Sequence, residues 1–326
     1  MKRREFIGLV GSIAAAWPLA ARAQQSMPVI AFVRDGTAEA SARFTSAFRK
    51  GLNETGYIEG QNVSVEYHWL EGQEDRLPPL MADLVRRQVV VIATSGNLPS
   101  LAAKAATATI PIVFGIGEDP VHLGLVASLA RPGGNATGVN FFNLEVTAKR
   151  LRLLHDLVPK AVRIAVLVNP TNASVAKSTV REVQEAAPAI GLQARIFNTA
   201  TTDEIDAVFA GFERERPDAI LVAGDAFFTS RGKQLAAWTA RDGIPAAYAI
   251  RELVTAGGLM SYGADFTDSF RSLGVYAGRI LKGEKPAELP VAQSTKFEFV
   301  LNLKTAKALG IEVPPSVLSI ADEVVE

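Results

Sequence analysis

The sequence predicts an α/β protein of two similarly built lobes, each a parallel sheet with helices on both faces. Three observations carry this. Short apolar runs alternate with longer runs of helical period, as βαβ units require. The alternation comes as two successive series, with a break after Phe141. The strand-length runs are apolar throughout, as strands covered on both faces should be.

The first series opens with Pro28–Val33 (PVIAFV) as a buried strand. Ala38–Thr55 sets Phe44, Phe48 and Leu52 at helical spacing, and Gly56 stops it. Val63–Trp69 alternates like a strand, and Glu74–Arg87 is a helix by pattern. Val89–Ala93, Ile110–Phe114 and Thr137–Phe141 read as strands, with helices over Leu98–Thr109 and Val121–Ala130 between them.

The second series begins with a helix over Glu145–Leu157 that ends before Pro159. Strands follow at Val162–Val168, Gln193–Asn198, Ala219–Ala223, Pro245–Tyr248 and Gly258–Tyr262. Helices over Ser174–Ile190, Thr202–Arg214 and Ser230–Arg241 separate them. The end of the chain adds a helix over Asp265–Leu281, an extended stretch over Leu289–Leu303 and a short helix over Thr305–Leu309. These pieces are too few for a third domain, so they return to complete the two sheets.

Composition agrees. The 326 residues give two lobes at about 150 residues per domain. A chain that is 48% hydrophobic and 21% charged is a packed globule, not a disordered chain, a collagen or a coiled coil. Lys plus Arg equals Asp plus Glu at 34 each, so the basic excess of a nucleic-acid binder is missing. The absence of cysteine removes disulfides, thiolate nucleophiles and zinc–thiolate or iron–sulfur sites.

Residues 1–23 read as a secretory signal. Lys2, Arg3 and Arg4 precede an apolar run from Ile7 to Ala21, and Ala21-Arg22-Ala23 fits a signal peptidase. The run is broken by Pro18 and is shorter than the ~20 residues of a membrane span. Arg3-Arg4 followed by Phe6-Ile7 also resembles a twin-arginine signal, although Lys2 stands where Ser or Thr is usual. Cleavage after Ala23 leaves 30 basic against 33 acidic residues, a net charge of −3.

Ligands of open α/β sheets bind beyond the carboxyl ends of the strands. The residues there are Asp35, Thr94-Ser95-Gly96-Asn97, Asp119, Asn140, Asn169, Asn172 and Asp225, with Tyr248 and Tyr262 close by. Small hydroxyls, amides and glycines suit a small polar molecule. Thr94–Asn97 joins a strand to a helix, where free N–H groups favour an anion such as a carboxylate. The alternative is a plain helix cap. Asp225 is set to hold an ammonium group or to cap a turn. The tyrosines can stack on a ligand or pack as core and rim.

Catalytic signatures are missing. His68, His122 and His155 have no metal-type spacing. There is no P-loop, no GxGxxG after the first strand and no GxSxG elbow, so neither a cofactor nor a catalytic residue is assigned.

Four stretches resemble a known family: IPIVFGIGEDPVHLGLVASLARPGGNATGVN, VLVNPTN, GGLMSYGADFTDSFRSLGVYAGRILKGEKPAELPV and FEFVLNLKTAKALGIEVPPSVLSIADEV. The chain resembles the periplasmic substrate-binding proteins of ABC transporters, in their tryptophan/tyrosine-type subfamily. The resemblance implies the type I periplasmic binding protein fold, two Rossmann-like lobes joined by a three-segment hinge. The crossings would lie near Phe141–Glu145, Gly263–Asp265 and Glu288–Val291. Lobe 1 would be residues 28–141 plus 265–284, and lobe 2 residues 142–264 plus 285–326. Asp35, Thr94, Ser95, Asn97, Asp119 and Asn140 would line one wall of the cleft. Asn169, Asn172, Asp225, Tyr248 and Tyr262 would line the other. An α-amino acid would set its carboxylate at the Thr94–Asn97 helix start, with Arg251 as the alternative clamp, and its ammonium near Asp225. An aromatic side chain would lie between the tyrosines. The implied partners are a small-molecule ligand and an inner-membrane permease, for a periplasmic monomer that binds no nucleic acid. A receptor-coupled sensor, an exported α/β enzyme and a binder of sugars or nucleobases are the competing readings.

Overall fold

The computed structural model describes residues 27–141 and 146–326. The expected signal at residues 1–23 and the expected first crossing at residues 142–145 lie outside the described residues.

The first lobe runs β1 (Val29–Arg34), α1 (Ala38–Glu54), β2 (Ser64–Trp69), α2 (Leu77–Arg86), β3 (Val91–Ser95), α3 (Asn97–Ala106), β4 (Ile112–Ile116) and β5 (Ala136–Asn140). The second runs α4 (Thr147–Leu157), β6 (Arg163–Val168), α5 (Ala173–Ala189), β7 (Gln193–Asn198), α6 (Thr202–Gly211), β8 (Ala219–Val222), α7 (Ala226–Ser230), α8 (Gly232–Arg241), β9 (Ala246–Tyr248), α9 (Arg251–Thr255) and β10 (Met260–Ala264). After them come α10 (Phe266–Leu281), β11 (Ala292–Gln293), β12 (Phe297–Asn302), α11 (Leu303–Ala308), α12 (Pro315–Leu318) and β13 (Glu323–Val325).

The first sheet has the order β11-β5-β4-β3-β1-β2, and all its described pairings are parallel. The second has the order β13-β12-β10-β9-β8-β6-β7, antiparallel only where β10 meets β12. The two-sided burial predicted from the apolar runs is present. One face of the first sheet packs Phe32, Ala93 and Val113 against α1 and α10. The other packs Ala31, Ile92 and Phe114 with Met81 and Leu84 of α2.

Helix α10 returns from the second series to pack on α1. Asp265 caps it by accepting from the N–H groups of Thr267 and Asp268 at 2.9 and 3.1 Å. Small residues let the two backbones approach. A Cβ at Gly274 would stand 2.0 Å from the Phe48 carbonyl oxygen, and one at Gly51 1.8 Å from that of Arg271.

Several expected elements differ. Val121–Ala130 is a chain of turns, not a helix. Gly124 adopts φ 71° there, and Leu125 N–H bonds back to the Pro120 carbonyl. Ser230–Arg241 is split at Arg231 into α7 and α8. The stretch over Leu289–Leu303 serves both sheets: β11 pairs with β5 in the first, and β12 with β10 in the second. The third crossing therefore follows Gln293 rather than lying near Glu288–Val291.

Candidate functional site

Both sheets reverse strand order once near their middle, and the carboxyl ends of the flanking strands open a crevice there. In the first sheet the reversal lies between β1 and β3, and Arg34 stands beside Ser95 in the ladder. In the second it lies between β6 and β8, which deliver Asn169 and Asp225. The two crevices face each other across one cavity of about 930 Å³, mouth included.

Asp225 is the acidic centre of the lobe 2 wall, at 8% exposure. One carboxylate oxygen accepts from Asn169 Nδ2 at 3.1 Å and from the Phe227 N–H at 2.8 Å. The other accepts from Asn172 Nδ2 at 2.8 Å. Burial pushes the Asp225 carboxyl above its ordinary range, these bonds oppose the rise, and the charge of Asp35 adds to it. Glu74, on the opposite wall, is raised by burial while a bond to the Thr171 side chain lowers it. Asp35 and Asp225 both raise Glu74 further. Asp35 thus acts on both Asp225 and Glu74 across the two lobes, and a cation between these groups would relieve Asp225 and Glu74.

Beside Asp35 and Glu74, the lobe 1 wall carries an aromatic surface and one cation. Phe44, Phe141 and Phe266 line it. Phe141 and Phe266 meet edge to face at 5.0 Å. The Arg34 guanidinium lies 4.4 Å from the Phe44 ring centroid and 5.3 Å from that of Phe270. Burial lowers the Arg34 pKa to about 10, against the pull of Glu252 and Asp35.

Bonds between the lobes close the cavity. Asn97 Nδ2 donates to Ser174 Oγ at 3.1 Å, and Arg43 to Glu252 at 3.0 Å. Lys233 Nζ reaches Glu39 at 3.1 Å.

The structure brings together six of the expected residues: Asp35, Ser95, Asn97, Asn169, Asn172 and Asp225 line the cavity. Five fall elsewhere. Thr94 is fully buried and pairs its hydroxyl with Ser100 Oγ at 2.8 Å, inside the lobe. Asp119 caps a turn by accepting from the Val121 N–H at 2.8 Å. Asn140 stands at the end of β5 beside Gln293 of β11, two strands away from β3. Tyr248 is fully buried in the lobe 2 core, with its hydroxyl 3.3 Å from Thr239 Oγ1. Tyr262 stacks on Phe297 of β12 and packs against the lobe 2 core. Among the described residues no tyrosine pair flanks the cavity; the lining aromatics are phenylalanines. Arg251 stands outside the cavity lining, paired with Glu298 and Glu323.

Phe44, Glu74 and Phe266 are cavity residues that sequence reasoning misses, and Arg34 is a strand-end residue to which it assigns no role. A signal for Arg34 exists: a charged residue at the very end of an otherwise apolar strand run, next to Asp35.

Among the described residues no helix is long and apolar enough to cross a membrane, and no group of His, Asp or Glu is placed to hold a metal. A curated relative, the tyrosine-binding protein of Clostridioides difficile (strain R20291), is 26% identical over 265 residues, 81% of this chain and 76% of its own. An ABC domain from Streptococcus pneumonia, solved in complex with L-Trp, is 26% identical with a TM-score of 0.82, over 92% of this chain and all of that one. The ligand-free, open structure of CD0873 from Clostridium difficile is 25% identical, over 91% of this chain and 99% of that one, yet its TM-score is 0.65. At near-equal identity the chain matches the ligand-bound form better than the open one, in keeping with its interlobe bonds. These relatives are solute-binding proteins rather than enzymes. The two-lobed fold, the cleft between switch points and the match of residues 27–325 to the family model converge: the chain belongs to the ABC transporter substrate binding protein family.

Proposed function

We propose that this chain captures an amino acid with an apolar or aromatic side chain between its lobes and hands it to the permease of an ABC importer. The observation that carries the reading is the buried Asp225 carboxylate, held by Asn169 and Asn172 in one cavity with a phenylalanine-lined wall. The ammonium group would sit among Asp225, Asp35 and Glu74, and the side chain against Phe44, Phe141 and Phe266. Relatives that take tyrosine and L-Trp support this choice of ligand.

Capture needs no chemistry. A ligand that touches both lobes stabilises the closed form by its differential affinity, and the closed pair of lobes is what a permease reads. The signal at residues 1–23 supports export to the periplasm, with Arg3-Arg4 pointing to the twin-arginine route. A monomer suffices for this work.

A thermal-shift screen of Gln24–Glu326 against amino acids, aromatic acids, sugars and nucleobases tests the reading. A ligand at 100 times its Kd should add about 2.7 kcal/mol. A shift with an α-amino acid that is lost in Asp225→Ala supports it. A shift with sugars or nucleobases alone overturns it.

A further inference from the structure

We propose that Arg34 and Ser95 form an anion subsite in this cavity, so that the ligand must carry a carboxylate on the lobe 1 side. The inference rests on the capture reading and deepens it by naming what the second pole recognises.

Parallel strands place ladder partners with their side chains on the same face. Arg34 pairs with Ser95, and Ser95 with Gly115, in one row at the carboxyl end of the first sheet. All three line the cavity. A Cβ at Gly115 would fall 2.4 Å from Phe141 Cζ, so Phe141 closes over the glycine and leaves Arg34 and Ser95 as the polar members of the row.

Arg34 is more than nine-tenths buried, and among the described residues its Nη1 has no hydrogen-bond partner. Glu252 and Asp35 act on it only through space. Both are engaged elsewhere: Glu252 accepts from Arg43, and Asp35 from the Gly72 N–H at 2.7 Å. Phe44 and Phe270 cover the guanidinium, so its edge is what remains for a partner. A buried donor left unmatched is costly, and a charged one more so. A carboxylate matches the fork of a guanidinium in shape and charge.

The start of α3 adds to the same spot. Gly96 at its N-cap has φ 106° and no side-chain cap. The N–H groups that follow it favour an anion. The acids Asp35, Glu74 and Asp225 on the same cavity limit that anion to one charge, which favours a carboxylate over a phosphate. Two poles of opposite sign in one cavity suit a molecule that carries both an ammonium and a carboxylate.

The test measures the affinity of the full chain as secreted for matched acid and amide pairs. These are L-tryptophan and L-tryptophanamide, L-leucine and L-leucinamide, and 3-phenylpropionate and 3-phenylpropionamide. Wild type should bind at least one acid about thirtyfold or more tighter than its amide. Arg34→Met should abolish most of that gap, Ser95→Ala part of it, and Arg34→Lys should keep more of it than Arg34→Met. Circular dichroism and Tm of each variant separate loss of the subsite from loss of the fold. If 3-phenylpropionate shows the Arg34-dependent gap and no amino acid binds, the subsite stands and the amino-acid reading falls. The proposal is overturned if no acid binds more tightly than its amide, or if folded Arg34→Met and Arg34→Lys both keep the wild-type gap.

Discussion

Arg43 on α1 donates to Glu252 on α9 across 3.0 Å, tying together two lobes whose bonded residues lie 209 positions apart. Glu252 also pulls on the buried Arg34 guanidinium. The bond that shuts the cleft is thus electrostatically joined to the wall the ligand touches. The two side chains remain 38% and 25% exposed, so the pair is worth about 0.2–1 kcal/mol. Arg43→Gln should weaken ligand binding about two- to fivefold and shift the ligand-free chain toward a larger radius of gyration in solution scattering. An unchanged radius and an unchanged Kd would remove the pair from the closing equilibrium.

Asp225 gives a sharper effect because it is buried and held by three donors. Asp225→Asn keeps the size and removes the charge. It should weaken binding of an ammonium-bearing ligand by at least about thirtyfold, the scale of a buried charge pair that loses one partner. A neutral ligand should lose far less. Titration calorimetry on both ligand types reads the difference; equal losses would mean that the residue only holds the turn into α7.

The same carboxylates predict a pH dependence. Burial raises Asp225 and Glu74 above their ordinary values of 3.8 and 4.5. The folded chain therefore holds protons at pH values where the unfolded chain has released them. From these two groups, stability is greatest below the ordinary carboxylate values and falls as pH rises through the raised ones. Asp225→Asn and Glu74→Gln should flatten that fall, seen as the difference in Tm from wild type across the acid range. Ligand ammonium opposes the shift, so binding there should release protons, and calorimetry in buffers of different ionisation enthalpy counts them. Proton uptake on binding would contradict the placement of the ammonium.

Much of this fold is legible in the sequence because buried parallel strands are apolar on both faces. The runs Val89–Ala93 and Ala219–Ala223 needed no partner to be recognised as strands, although the first strand lies two residues later, over Val91–Ser95. The strand ends were legible for the same reason, and Ser95 at the end of β3 and Asn97, Asn169 and Asp225 beyond their strands do line the cavity. The misses have physical causes. Tyr248 ends its strand as expected, but the ladder turns its ring into the core rather than toward a ligand. Leu123, Val126 and Leu129 are spaced like a helix face, but Gly124 takes a positive φ and the stretch folds into turns. Arg34 gains its meaning only when β3 lays Ser95 beside it and α10 brings Phe270 over it. Register and a returning helix are long-range facts that no local pattern carries.

The return of α10 yields the last prediction. Phe266 lines the cavity and Phe270 shelves Arg34, and both ride on a helix held to α1 by close backbone contact. The Cβ of an alanine at Gly274 would stand 2.0 Å from the Phe48 carbonyl oxygen and 2.8 Å from the Leu52 nitrogen. These are backbone atoms and cannot swing aside, so the helices must part. Overpacking of this kind costs about 1–3 kcal/mol. Gly274→Ala should therefore lower Tm and also weaken binding, because Phe266 and Phe270 move with the helix. Gly211 is the comparison: it ends α6 with open space around its Cβ position and without a positive φ. Gly211→Ala should hold or slightly raise stability, by up to about 1 kcal/mol, with Tm unchanged or higher, and leave binding alone. A Gly274→Ala chain with wild-type Tm and Kd would mean that the spacing of α1 and α10 does not set the position of the aromatic wall.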